Sequence, residues 1–121
     1  MKPASAKQKG RLAQQEICKS ILAAFPELEP DDVVSTSMGA PGEDIRLSPK
    51  ARTLLPFTIE AKNTERLNVH SALEQAKSHT KGKNYIPLLI FRRNRTKLHV
   101  ALEWEHFLNL LKDRHHGTTD S

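Results

Sequence analysis

Cysteine is nearly absent from this chain: Cys18 stands alone among 121 residues, which excludes an intrachain disulfide framework and a zinc cage built on thiolates. Aromatic residues are scarce at 5%, too few for a platform on which nucleic-acid bases stack. No apolar run approaches the roughly 18 residues that a membrane-spanning helix needs. The opening MKPASAKQKG has no apolar signal-peptide core, so the expectation is an intracellular, cytoplasmic protein. The 5 glycines and 7 prolines sit singly, as turn punctuation, with no internal repeat, low-complexity tract or long linker. What remains fits one domain over residues 1–121, with flexible ends expected at 1–5 and 114–121. A domain of this size buries roughly two-thirds of the surface its unfolded chain exposes, enough for one real core.

Charge is plentiful and unevenly placed. The net charge is +5, but residues 1–24 carry five bases and one acid, and residues 25–48 one base and six acids. Residues 49–100 carry eleven bases and three acids, and the last 21 residues two bases and four acids. A basic body around a short acidic stretch suits a polyanion ligand together with a local cation site. A plain solvated basic surface is the alternative.

Apolar spacing predicts a helix from Ala6 to Phe25, carried by Ile17, Cys18, Ile21, Leu22 and Phe25 and stopped at Pro26. Val33 to Ser37 reads as a short strand, SMGAPGED as a turn and Asp44–Ser48 as a half-buried strand. The segment PKARTLLP reads as a loop, and Phe57–Lys62 (FTIEAK) as a second alternating strand. Asn68 then N-caps a helix with Val69, Ala72, Leu73 and Ala76 on one face, ended by Gly82. Ile86–Phe91 is a continuous apolar strand, expected at the centre of the sheet, and KLHVAL follows the RRNRT turn as another. Trp104, Phe107, Leu108 and Leu111 mark a final amphipathic helix, with Trp104 and Phe107 expected in the core. The order α-β-β-β-α-β-β-α, with a helix between the third and fourth strands, predicts an α/β fold: a mixed sheet flanked by helices.

Strand alternation in FTIEAK sends Phe57, Ile59 and Ala61 to one face and Thr58, Glu60 and Lys62 to the other. In the preceding strand Ile45 and Leu47 point inward, leaving Asp44, Arg46 and Ser48 opposite. A hairpin closed between Ser48 and Pro56 sets Asp44 directly across from Glu60, with Cβ atoms about 5 Å apart. Two like charges that close are unfavourable unless a cation sits between them. Two carboxylates, the Ala61 carbonyl and several waters suit magnesium, and Lys62 beside them would orient a water and help remove its proton for phosphodiester hydrolysis. Glu-x-Lys alone is common, and an exposed Glu–Lys pair on a solvated strand is the plain alternative. Gln14 extends the apolar stripe of the first helix backwards, so a polar side chain is aimed inward while Glu16 faces solvent. Gln14 then needs partners, either the site itself or an ordinary loop hydrogen bond.

Gly42-Glu43-Asp44, with Glu60-Ala61-Lys62 beginning sixteen positions after Asp44 and followed by a helix, resembles the PD-(D/E)XK nuclease superfamily. The spacing and element order resemble its small Holliday-junction-resolvase branch of archaeal and phage type, over nearly the whole chain. The resemblance implies a restriction-endonuclease-like core, with Asp44 and Glu60 as metal ligands and Lys62 as the catalytic lysine. Magnesium, with manganese as a substitute, is the implied cofactor. In that family a Lys-Gly pair opens a helix whose site-facing Glu comes four residues later; Lys9-Gly10 puts Gln14 there. Ser37-Met38-Gly39 resembles the family's Ser-x-Gly before the aspartate, Glu43 stands where its motif has Pro, and Gln75 resembles its accessory glutamine. The resemblance also implies a homodimer, since both strands of a junction must be nicked.

Lys81, Lys83, Arg92, Arg93, Arg95 and Lys97 are expected to cluster and to meet DNA phosphates without reading sequence. His115 and His116 lie in a polar end and read as tail rather than as a metal site. The chain thus reads as a magnesium-dependent DNA endonuclease, a junction resolvase first. Its rivals are another nuclease of the same fold, a DNA-binding module with a decayed site, and a structural or inhibitory protein with an acidic partner.

Overall fold

The computed structural model describes residues 5–37 and 40–119, the last four by backbone alone. Ser5 accepts from the Gln8 N–H at 3.1 Å and so caps α1 (Ala6–Ala24). A 3₁₀ turn over Pro30–Asp32 leads into β1 (Val33–Ser35), followed by β2 (Ile45–Leu47). The segment read as a loop is a short helix, α2 (Pro49–Leu54). Its signals were present: Ser48 accepts from the Ala51 N–H at 3.1 Å as N-cap, and Pro49 supplies the preset φ of the first helical position. The two flanking prolines left too few residues for periodicity to register. Ser48, expected on the site face, is occupied by this cap and by donation to Asp32 Oδ1 at 2.6 Å. That bond, with the Glu29 N–H, holds the Asp32 carboxyl below its usual range.

The remaining elements are β3 (Phe57–Asn63), α3 (Val69–Ser78), β4 (Ile86–Arg92), β5 (His99–Ala101) and α4 (Trp104–Thr119). Asn68 caps α3 through the Ser71 N–H, as its sequence position implies. The five strands form one mixed sheet in sequence order, antiparallel except for the parallel pair β3–β4 that α3 connects. The middle strand is β3, not β4, and it is buried along both rows: Ile59 and Ala61 on one, Thr58 and Glu60 on the other. The even-numbered row is therefore not a solvated face, as Thr58 is wholly inaccessible.

Ile17 and Ile21 of α1 pack with Val33, Ile45, Leu47, Ile59, Ala61 and Leu88 into the principal core. Truncating one such fully buried aliphatic chain costs about 2–5 kcal/mol. On α3, Ala72 and Ala76 are buried where that helix packs on β3 and β4. Helix α4 runs to Thr119, and the end of the chain departs from expectation at Trp104 and Phe107, which are not core: they are 67% and 42% exposed, with Leu108 and Leu111 exposed beside them. The half-buried positions His106 and Leu110, one turn apart, mark the side of α4 toward the body. No helix among the described residues is long and apolar enough to cross a membrane.

Candidate active site

The expected register is present: Ile45 of β2 pairs with Ile59 of β3, which sets Asp44 across from Glu60. The ladder ends there, and Asp44 is fixed by three bonds. Its carbonyl accepts from the Thr36 N–H at 2.8 Å, its N–H donates to the Ile59 carbonyl at 3.2 Å, and its Oδ2 accepts from the Ala61 N–H at 2.8 Å. The carboxylate thus takes the place of the backbone acceptor that a longer β2 would have supplied. In an extended strand the N–H and C=O of one residue point to the same edge. The Ala61 carbonyl therefore faces the edge where Asp44 sits.

Glu60 lies beside Asp44 with its side chain only 8% exposed, and Lys62 Nζ stands 3.5 Å from Glu60 Oε1. Burial pushes the Glu60 carboxyl up to about 7; the Asp44 charge adds to this, and Lys62 opposes it. The two carboxyls are within hydrogen-bonding reach of each other, and this contact also favours the protonated form of Glu60. These groups open into a cleft of about 360 Å³ between the end of β3 and the N-terminal half of α1, lined also by Gly10, Gln14, Asn63 and Thr64. Asn63 Nδ2 donates to the Lys9 carbonyl at 3.2 Å and ties α1 to the end of β3. Gln14 is 4% exposed and does line the cleft.

These residues suit a hard divalent cation in one specific respect. Two adjacent carboxylates and a carbonyl on one strand edge, with water-sized space in front, match a magnesium site that keeps several waters. The buried Asn63 Oδ1 has no hydrogen-bond partner among the described residues, leaving one more acceptor on a residue that lines this cleft. Among the described residues no three His, Cys, Asp or Glu side chains converge, so such an ion would depend on waters for the rest of its shell.

Other sequence candidates scatter. Glu43, next to Asp44, turns away: Arg52 Nη2 grips both its oxygens at 2.8 and 2.9 Å, Arg52 Nη1 donates to the Phe57 carbonyl, and the guanidinium lies over Tyr85, 4.2 Å from the ring centroid. Ser37 is exposed in the β1–β2 connection and outside the cleft, and Met38 and Gly39 of its motif lie outside the described residues. Gln75 is exposed on α3 and does not reach the cleft.

The basic group is not one cluster. Because β4 runs parallel to β3, Ile86 pairs with Phe57 and Arg92 with Asn63. Lys81 and Lys83 therefore precede β4 at the far end of the sheet, while Arg92, Arg93, Arg95 and Lys97 follow it at the cleft end. Arg92 is committed to an ion pair with Glu16, which faces solvent as expected. Arg93 and Arg95 are exposed in the turn, Arg95 with a φ of 62°.

Two basic residues that sequence reasoning passed over lie closer. A depression lined by Lys9, Asn63, Thr64, Glu65 and Arg66 adjoins the cleft, and the next along, past Arg66, reaches Arg93; Glu65, which lines both, accepts from the Asn94 N–H at 2.8 Å. Lys9 stood out in the sequence only as half of the Lys9-Gly10 pair and Arg66 not at all; the crossing of α1 over the end of β3 brings Lys9 to the connection that carries Arg66. Compared with known proteins, the sequence matches no family model, no curated protein and no solved structure.

Proposed function

We propose that the protein is a magnesium-dependent DNA endonuclease with a restriction-endonuclease-like core, acting on branched DNA such as a four-way junction. One observation carries this reading: the Asp44 and Glu60 carboxyls meet on a strand edge shared with the Ala61 carbonyl, and the Lys62 ammonium stands 3.5 Å from Glu60. Asp44, Glu60 and the Ala61 carbonyl would hold a magnesium ion, which when bound would supply a Lewis acid for the scissile phosphate and make nearby water more acidic. Hydrolysis joins a water oxygen to phosphorus and breaks one phosphorus–oxygen ester bond, the leaving oxygen taking up a proton. Lys62 places positive charge where the transition state gathers negative charge, and Glu60 orients that ammonium. Asp44, pinned through its own backbone and the Ala61 N–H, keeps the second carboxylate in place before substrate arrives. The track of Lys9, Arg66 and Arg93 beside the cleft supplies phosphate contacts that position a backbone without reading bases.

The test is cleavage of a labelled four-way junction and of a linear duplex, with magnesium and with EDTA. The expected result is magnesium-dependent nicking that favours the junction. Asp44→Asn, Glu60→Gln and Lys62→Ala should each lower the rate by at least about a hundredfold while DNA binding persists. Equal cleavage of the duplex would point to a nicking or restriction-like enzyme of the same fold. A second reading, a DNA-binding module without catalysis, draws on Gln14, an amide on α1 where an acid would add a third carboxylate to the cleft. It predicts binding, no magnesium-dependent product and no effect of Asp44→Asn.

A further inference from the structure

The apolar stripe of α4 is exposed along its length. Trp104, Phe107, Leu108 and Leu111 follow the i, i+3, i+4, i+7 spacing of a packing seam, yet all four are exposed, while the helix meets the body through its His106 and Leu110 side. A 16-residue helix, about 24 Å long, is marginal in water unless its apolar face is covered. The charges flanking the stripe indicate what covers it. Glu105 and Lys112, two turns apart, lie along one flank; Arg114 lies along the other, which Glu103, immediately before the helix and already beside Lys77 and His106, precedes. When two copies of a helix pack antiparallel about a two-fold axis, each flank meets its own counterpart reversed. Glu105 of one copy then faces Lys112 of the other, Glu103 faces Arg114, and Phe107 and Leu108 fall at the axis with Trp104 opposite Leu111. A parallel pair would set Glu105 against Glu103 and Lys112 against Arg114, like against like.

We propose that α4 is a self-association surface through which two copies of this chain pair as an antiparallel two-helix seam. Glu103 also receives Lys77 Nζ of α3 at 3.4 Å, so the acidic end of the seam is anchored to the body before the second copy arrives. The proposal stands independently of the cleft, since none of these residues lines it.

Sedimentation of the full chain from about 1 to 200 μM should give a mass near twice 13.6 kDa at the upper end. Leu108→Glu should weaken association about tenfold or more, with an unchanged far-ultraviolet circular dichroism spectrum reporting an intact fold. Two exposed-charge variants guard against a folding failure. Glu105→Lys and Lys112→Glu should each weaken the dimer, and the double exchange should recover most of the loss. With Cys18→Ser as background, Leu108→Cys should oxidise to a covalent dimer and Trp104→Cys should not. A monomer at every concentration overturns the proposal, as does a dimer indifferent to Leu108→Glu. Tighter association of the Glu105→Lys variant would mean a parallel pair and overturn it equally.

Discussion

At the scale of single residues, Glu60 is the group most changed by its position. Burial and Asp44 hold its carboxyl near 7, against an ordinary 4.5, while Lys62 pulls the other way. Asp44→Asn therefore lowers the Glu60 titration midpoint and Lys62→Ala raises it, both readable by carbon NMR of the glutamate side chains. The sign for stability follows from proton counting. Between about pH 4.5 and 7 the folded chain holds a proton that the unfolded chain has released. This contribution to stability is therefore complete below about 4.5 and lost as the pH climbs through about 7, by on the order of 2–3 kcal/mol. Denaturant unfolding in EDTA should show that decline, and Glu60→Gln should abolish it, leaving the variant more stable than the parent at pH 8. A flat parental profile would contradict a raised Glu60 carboxyl. Asp44, Glu60 and Lys62 were legible in the sequence because strand alternation and a short hairpin fix which side chains face each other, whatever the rest of the chain does. Glu43 was not legible: its partner Arg52 reaches it only from a helix that two prolines had disguised.

At the scale of elements, α2 matters beyond its length. Arg52 on this helix joins Glu43, the Phe57 carbonyl and the Tyr85 ring, bracing the approach to Asp44 against the start of β3. The Glu43 and Arg52 side chains are only 10% and 12% exposed. Arg52→Ala leaves a largely buried carboxylate without its counter-ion and should cost about 2–4 kcal/mol in urea unfolding. A loss under about 0.5 kcal/mol would mean that the bracket contributes nothing. Gly42 precedes this pair with a φ of 102°, a conformation that side-chain-bearing residues rarely adopt, and so allows the turn that delivers Asp44 to the sheet. The sheet's composition was legible from β-type patterning, and its mixed character from the intervening helix. Strand order was harder: β4 looks central because its apolar run is unbroken, whereas β3, interrupted by Thr58 and Glu60, is the middle strand. The apolar stripe of α4 misled for a related reason, since periodicity reports that a face is apolar but not whether its own chain covers it.

Over the whole molecule, the parallel pairing of β3 and β4 sorts the positive charge. Lys9, Arg66 and Arg93 border the groove that continues from the cleft, and Lys81 and Lys83 lie at the other end of the sheet. Alanine at the first three should weaken DNA binding and reduce its dependence on salt, each lost phosphate contact lowering the logarithmic salt slope by about one. Alanine at Lys81 and Lys83 should change little in the same fluorescence titration. The reverse ranking would place the nucleic acid elsewhere. All of this depends on whether Asp44 and Glu60 share a divalent ion, and calorimetric titration of magnesium into DNA-free protein at pH 8 asks that most directly. The account predicts one site per chain, weakened about tenfold or more by Asp44→Asn and by Glu60→Gln. Magnesium binding of parental strength in either variant, or none in the parent chain, would contradict it.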